Sequence, residues 1–88
     1  MSQVWHAKNP TFGLTPQSFP NDYELVATVE SEDLGEVFRL TNHIDCEWWL
    51  NDGVYTHKQS RSTSVGDVVE ISGKFFLCEM MGWKEFTP

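Results

Sequence analysis

Residues 68–80 of this chain read VVEISGKFFLCEM. Residues 68–71 are rich in β-branched side chains, and a second apolar run begins at Phe75, just after Gly73. Two β-forming runs joined by a short link that contains glycine are typical of a β-hairpin. We therefore predict two antiparallel strands here, then a break at Gly82 and a last short strand over residues 83–86.

N-terminal to the hairpin, residues 23–30 place successive side chains on opposite faces of an extended backbone, with Tyr23, Leu25, Ala27 and Val29 on one face. We predict a further strand there. The next segment favours a helix from about residue 32 to 41, because Ser31 can cap its start and apolar residues then recur along one stripe. The apolar run around residues 48–50 is followed by the turn signal Asn51-Asp52-Gly53. We expect a short extended segment on each side of that turn.

The N-terminal part of the chain has a different character. Residues 1–22 hold three of the four prolines, which disfavour a long helix or a central strand. We predict an irregular arm over residues 1–22 that lies over the core, because it carries large apolar side chains: Trp5, Phe12, Leu14 and Phe19. Residues 1–88 are then one α+β domain whose core, residues 23–88, is a small curled antiparallel sheet of four to five strands with one amphipathic helix packed across it.

The charge of the chain is strongly acidic and unevenly spread. Its 88 residues include 13 Asp and Glu against 6 Lys and Arg, a formal net charge of −7. Residues 22–52 hold nine of the acids and one base, Arg39, a local balance of −8. This charge argues against direct binding to nucleic acid or to an anionic membrane. The N-terminus lacks the basic and apolar regions of a secretory signal and no apolar run approaches a membrane span, so we expect a cytoplasmic protein.

Ligand types for a metal occur, but their spacing is poor. His43 and Cys46 are close in sequence, whereas His57 and Cys78 have no near partner. Structural zinc sites are usually built from two tight pairs, so we predict no metal and no cofactor. Cys46 and Cys78 are expected to be reduced thiols, with a single disulfide as the alternative.

Carboxylate pairs are the other chemical candidates. Glu32 and Glu36 are one helical turn apart, and Asp45 and Glu47 are two residues apart. In a chain this acidic, such pairs are mostly solvated surface charges rather than an acid and base at work. No standard catalytic motif occurs, and we predict that the protein is not an enzyme.

The polar segment at residues 61–64, RSTS, brings one guanidinium and three hydroxyls into a short loop. Arg61 could bind a phosphate or a partner's carboxylate. It could equally pair with an acid of the same chain and anchor the loop onto the sheet.

Two adjacent tryptophans, Trp48 and Trp49, would point to opposite faces in an extended backbone. One of them would then pack inward, and the other would lie under the N-terminal arm or at the surface. A surface tryptophan beside acids is a typical anchor for a protein partner, or for a second copy in a homodimer.

Three segments carry a resemblance: residues 33–42 (DLGEVFRLTN), Trp48-Trp49, and residues 61–68 (RSTSVGDV). Together with Gly82-Trp83 they resemble a group of small proteins encoded by bacteriophages and other mobile elements. The resemblance covers residue 33 to the end and implies a viral or mobile-element origin and a bacterial host cytoplasm. The group has no established activity to transfer.

The function that we predict is therefore binding. The acidic face would dock on a basic surface of a host or viral protein, and in its sharper form it would mimic the charge of DNA. Partner-binding residues are expected at the start of the helix, at the tryptophan pair and in the polar loop: Glu32, Asp33, Glu36, Trp48, Trp49 and Arg61. The alternative is a small-ligand or metal-binding module around His43, Cys46 and Arg61.

Overall fold

A computed structural model of the chain describes residues 1–8, 19–42, 47–58 and 61–88. These residues form six strands, one α-helix and one turn of 3-10 helix at Trp48–Leu50. The helix, α1, spans Leu34–Thr41. The strands are β1 (Ser2–Ala7), β2 (Tyr23–Val29), β3 (Val54–Thr56), β4 (Val68–Ile71), β5 (Lys74–Glu79) and β6 (Gly82–Phe86).

All six strands belong to one antiparallel sheet, in the order β3-β2-β1-β4-β5-β6. The α+β class is confirmed, but the sheet has six strands rather than four to five. The predicted hairpin is β4–β5, where Ile71 pairs with Lys74 across Ser72-Gly73. Both turn residues have positive φ, 52° and 80°. That backbone lets a two-residue turn follow the twist of the strands it joins.

The prediction of an irregular arm over residues 1–22 is wrong for its first part. Residues 2–7 form β1, which pairs with β2 on one side and β4 on the other. The first proline of the predicted arm is Pro10. Residues 2–7 therefore all have a backbone N–H that can donate hydrogen bonds to β2 and β4. The predicted arm residues Phe12 and Leu14 lie outside the described residues.

The first face of the sheet carries the main core. Its strands contribute small β-branched side chains, among them Val4, Val29 and Val69, all fully buried. Val37 of α1 and Trp48 of the 3-10 turn pack onto the same cluster. The helix therefore covers the first face, as predicted for the amphipathic helix.

The second face carries an aromatic cluster centred on Phe19. The Phe19 ring lies 5.1 Å from that of Trp5, 5.2 Å from Phe75, 5.3 Å from Tyr23 and 5.7 Å from Phe86. Both faces of the sheet thus carry packed apolar side chains. Phe19, which precedes β2, covers part of the second face.

The predicted strand over residues 23–30 is confirmed as β2, but its strict alternation is interrupted. Val4 pairs with Ala27, and the next residue, Trp5, pairs with Leu25, so β2 has one extra residue at Val26. This β-bulge lets Val26 and Ala27 both be buried in the first-face core.

The helix begins two residues later than predicted, at Leu34. Asp33, not Ser31, is the N-cap, and its carboxylate accepts a hydrogen bond of 3.1 Å from the Glu36 backbone N–H. At the other end, Asn51 Nδ2 donates to the Leu40 carbonyl at 2.8 Å. Side chains thus satisfy backbone groups that the helix itself leaves unpaired at both ends.

The central position of β1 leads to a stability prediction. Val4→Ala should lower the free energy of unfolding by about 2 kcal/mol, because it removes buried apolar surface and leaves a cavity. Gln3→Ala, on the other face of the same strand, should cost less than about 1 kcal/mol. Urea denaturation measures both, and equal small losses would contradict a central β1.

Candidate functional site

The most concentrated polar chemistry lies around Asp67, whose side chain is completely buried. Arg61 binds its carboxylate through both terminal nitrogens, at 2.6 Å from Nη1 to Oδ2 and 2.7 Å from Nη2 to Oδ1. The backbone N–H of Ala7 donates to Oδ1 at 2.9 Å and that of Ser64 to Oδ2 at 2.8 Å. The buried charge is therefore paired and hydrogen-bonded on both oxygens.

This arrangement follows from a tight turn at residues 64–67. The Asp67 N–H donates to the Ser64 carbonyl at 3.1 Å, while the Asp67 side chain accepts from the Ser64 N–H. On the other side, the Asp67 carbonyl accepts from the Cys78 N–H of β5 at 2.8 Å. One residue thus links the polar loop to β1 through its side chain and to β5 through its backbone.

Arg61 is an internal anchor, which is one of the two uses that the sequence leaves open. Besides Asp67, its Nη2 donates to the Ala7 carbonyl at 3.2 Å and its Nη1 to Ser64 Oγ at 3.2 Å. The bond to Asp67 raises the pKa of Arg61, so the guanidinium stays charged. Both terminal nitrogens of Arg61 donate within the chain. Few of its donors therefore remain to bind a phosphate or a partner's carboxylate.

His6 lies beside this pair and is 1% exposed. Its Nε2 shares a hydrogen bond of 2.9 Å with Thr63 Oγ1 and lies 3.9 Å from Asp67 Oδ2. Burial lowers the pKa of His6 from 6.5 to about 4, outweighing the opposite effect of Asp67. The ring is therefore neutral near pH 7. Since Thr63 is also fully buried, the pair stabilises the interior and does not meet a substrate in this conformation.

The predicted acidic residues Glu32, Asp33 and Glu36 lie together, exposed, at the start of α1. Two other acids of residues 22–52 contact side chains of the same chain. Glu24 pairs with Lys58 Nζ at 2.7 Å, and Glu30 accepts from the Tyr55 hydroxyl at 2.7 Å. We use the name acidic surface for the three exposed helix-start residues Glu32, Asp33 and Glu36.

The tryptophan pair is not extended, so the expected opposite orientation is wrong. Trp48 and Trp49 lie in a 3-10 turn, in which successive side chains are about 120° apart. Trp48 is 1% exposed, and its Nε1 donates to the Arg61 carbonyl at 3.2 Å. Trp49 is half-buried against the same core, with its ring 5.7 Å from that of Trp48. The two residues do differ in burial, but both pack on the first face.

The proposed metal ligands cannot be compared with the structure as a set, because His43 and Cys46 lie outside the described residues. In the ranges that are described, no group of three or more His, Cys, Asp or Glu side chains could hold a metal ion. Cys78 is a buried free thiol, and its burial raises its pKa to about 11. His57 shares a hydrogen bond of 2.9 Å with Thr28 Oγ1.

A surface that the sequence analysis missed is an apolar groove between α1 and the β5–β6 hairpin, with a volume of about 290 Å³. Phe38 and Trp83 form part of its lining, with their rings 6.2 Å apart at 80°. The available signal was Met80-Met81, an apolar pair at a hairpin turn where polar residues are the rule.

Comparison of the chain with family models, with curated proteins and with solved structures finds no match. Within the described parts of the chain, no helix has the length and apolar character needed to cross a membrane. The resemblance to bacteriophage proteins therefore stays a prediction, and the geometry above is what supports a function.

The buried neutral His6 predicts a specific pH dependence. The unfolded chain takes up a proton near pH 6.5 and the folded chain only near pH 4, so the free energy of unfolding falls as the pH falls through this window. Between pH 7 and pH 5 the loss should be about 2 kcal/mol. Urea denaturation at both pH values should show it in the natural chain and not in His6→Gln. The same loss in both proteins would contradict a buried neutral ring.

A second prediction distinguishes the two tryptophans. Trp48→Ala should lower the free energy of unfolding by about 3 to 5 kcal/mol, because it empties the first-face core and leaves the Arg61 carbonyl without its donor. Trp49→Ala should cost clearly less, since that side chain already contacts solvent. Denaturant titration of both variants checks the order, and an equal loss would contradict it.

Proposed function

We propose that this chain is a small acidic protein without enzymatic activity that binds the basic surface of a protein partner through the start of α1. The observation that carries the proposal is the exposure of Glu32, Asp33 and Glu36 on one short stretch of surface. Carboxylates placed this way raise the rate at which an oppositely charged protein is encountered.

The distribution of the basic residues supports this proposal. All six Lys and Arg belong to the described residues. Lys58 is held by Glu24 and Arg61 by Asp67. Within the described residues, no Lys or Arg forms an ion pair with Glu32 or Glu36. Glu32 does lie 3.5 Å from the N-terminal ammonium, whereas Glu36 has no ion pair among the described residues, so the charge of Glu36 is the one left for an outside partner.

The resemblance to proteins of bacteriophages and mobile elements supplies the setting of the proposal. The partner would be a host or viral protein in a bacterial cytoplasm. In the sharper form, the carboxylates would stand in for phosphates in a cleft that otherwise binds DNA. Three clustered acids match a short contact better than a long duplex, so we place the protein-binding form first.

The other candidate is a small-ligand or metal-binding module around His43, Cys46 and Arg61. The engagement of Arg61 with Asp67 removes one of its three supports. Measurement of zinc in the purified protein tests the rest, and one zinc per chain would favour this candidate over ours.

The direct test reverses the two helix-start acids that do not cap the helix. The double variant Glu32→Lys and Glu36→Lys keeps Asp33, whose removal would cost about 1 kcal/mol through loss of the N-cap. Immobilised natural and variant chains are compared for the proteins they retain from a bacterial lysate. We expect the variant to lose at least tenfold of the retained partner, and the on-rate of that partner to fall as salt rises to physiological strength, where the screening length is about 8 Å.

The matched control carries the same change of charge at another surface, Glu70→Lys with Glu85→Lys on β4 and β6, and should retain the partner. Salt-insensitive retention that survives the helix-start reversal would contradict the proposal. Competition by duplex DNA for the retained partner would support the mimic form, and its absence would exclude that form alone.

A further inference from the structure

The groove between α1 and the β5–β6 hairpin has a largely apolar lining. Its lining includes Phe38 of the helix, Val65 of the turn before β4 and Trp83 of β6, with Met80 at the hairpin turn. Its volume of about 290 Å³ is at the lower end of ligand pockets. A space of this size accommodates one or two apolar side chains better than a large organic ligand.

Gly35 keeps the groove open on the helix side. It is the second residue of α1, where alanine would be the better helix former. Its φ is not positive, and a Cβ placed there would meet only the Asp33 carboxylate Oδ1, at 3.3 Å. The backbone conformation thus does not require glycine here. The absence of a side chain at Gly35 leaves free space on the helix side of the groove.

The hairpin side of the groove exposes apolar surface that the fold does not use. Met80 is 85% exposed and Met81 is 98% exposed. Methionine side chains are flexible and polarisable, so they adapt to varied apolar partners. An exposed apolar pair beside an apolar groove is the pattern of a contact surface rather than of a solvated turn.

Acids border the groove at both sides. Glu79 belongs to its lining, and Asp33 Oδ1 lies 3.3 Å from the position that a Cβ would take on Gly35, another lining residue. Glu36 follows in the same helical turn and is exposed. The groove therefore joins the acidic surface of the proposed function, and it combines an apolar floor with negative edges.

We propose that this groove binds a peptide segment of the partner in which one or two apolar side chains are flanked by Lys or Arg. The apolar side chains would pack in the groove against the Phe38 and Trp83 rings, and the flanking cations would meet Asp33, Glu36 and Glu79. This inference rests on the proposed function and adds the chemistry of the partner's contact segment.

The test uses three synthetic hexapeptides on the full chain, followed by NMR of the backbone amides and of the Trp83 indole N–H. The first peptide is Lys-Lys-Leu-Leu-Lys-Lys, the second replaces both leucines by serine, and the third replaces the lysines by glutamate. We expect the first to shift signals of residues 35–38 and 78–83 in a saturable manner. The other two should bind at least tenfold more weakly.

A blocking variant ties the binding to the groove. Gly35→Leu fills the helix wall with a good helix former and should weaken the first peptide at least tenfold. Its new Cβ would lie 3.3 Å from the Asp33 carboxylate that caps the helix, so its thermal midpoint is measured beside that of the natural chain. Met80→Ser removes the exposed lip, should leave the fold unchanged, and should weaken binding severalfold even if Gly35→Leu fails to fold. Leu50→Ala, at another exposed apolar site (71% exposed), is the control and should bind as the natural chain does.

The outcomes separate this inference from the function on which it rests. Equal binding of the leucine and serine peptides, or shifts confined to residues 32–36, would overturn the groove and leave the acidic surface in place. No binding of the leucine peptide at millimolar concentration would also overturn the groove. Binding that survives the reversal of Glu32 and Glu36 but not Gly35→Leu would keep the groove and contradict the acidic surface as the main contact.

Discussion

The buried carboxylate of Asp67 holds three separate segments of the chain together. A charge taken out of water is costly unless its lone pairs are satisfied. Here two bonds from Arg61 and two backbone N–H groups, those of Ala7 and Ser64, provide that satisfaction. Because these donors come from β1, the polar loop and the turn before β4, the carboxylate requires all three to be in place together.

The position of the helix and of Trp48 follows from that anchor. With Arg61 fixed, its carbonyl accepts from Trp48 Nε1, and the next part of the loop reaches α1, where the Thr63 N–H donates to the Thr41 carbonyl at 2.8 Å. Thr63 also provides the hydroxyl for His6. The interior of this small domain is therefore specified by polar contacts as well as by apolar packing, and loss of the carboxylate would release several elements at once.

Local patterns were sufficient for the elements whose contacts are close in sequence. The turn residues Ser72-Gly73 predict the β4–β5 hairpin. The spacing of apolar residues predicts α1 and the side of it that packs on the sheet. The same patterns could not locate β1, because its burial depends on strands that lie far along the chain. They also assigned β2 an uninterrupted alternation, since the bulge at Val26 reflects the pairing with Val4 and Trp5. At the site, the acid that would pair with Arg61 could not be named among 13 carboxylates until the turn at residues 64–67 was seen.

The helix dipole stabilises the carboxylates of the acidic surface, because they lie at the N-terminus of α1. Carboxylates near a helix N-terminus gain about 0.3 to 1 kcal/mol each from the exposed N–H groups, and Asp33 also caps the Glu36 N–H. The electrostatic repulsion among the clustered carboxylates is thus partly offset by their favourable interaction with the helix N-terminus. The carboxylates would attract a basic surface but would not fix its orientation. In the proposed binding mode the groove beside them would supply that orientation, because an apolar side chain would fit only beside Gly35, against the Phe38 and Trp83 rings. Charge would bring the partner in, and the groove would select which segment of the partner stays.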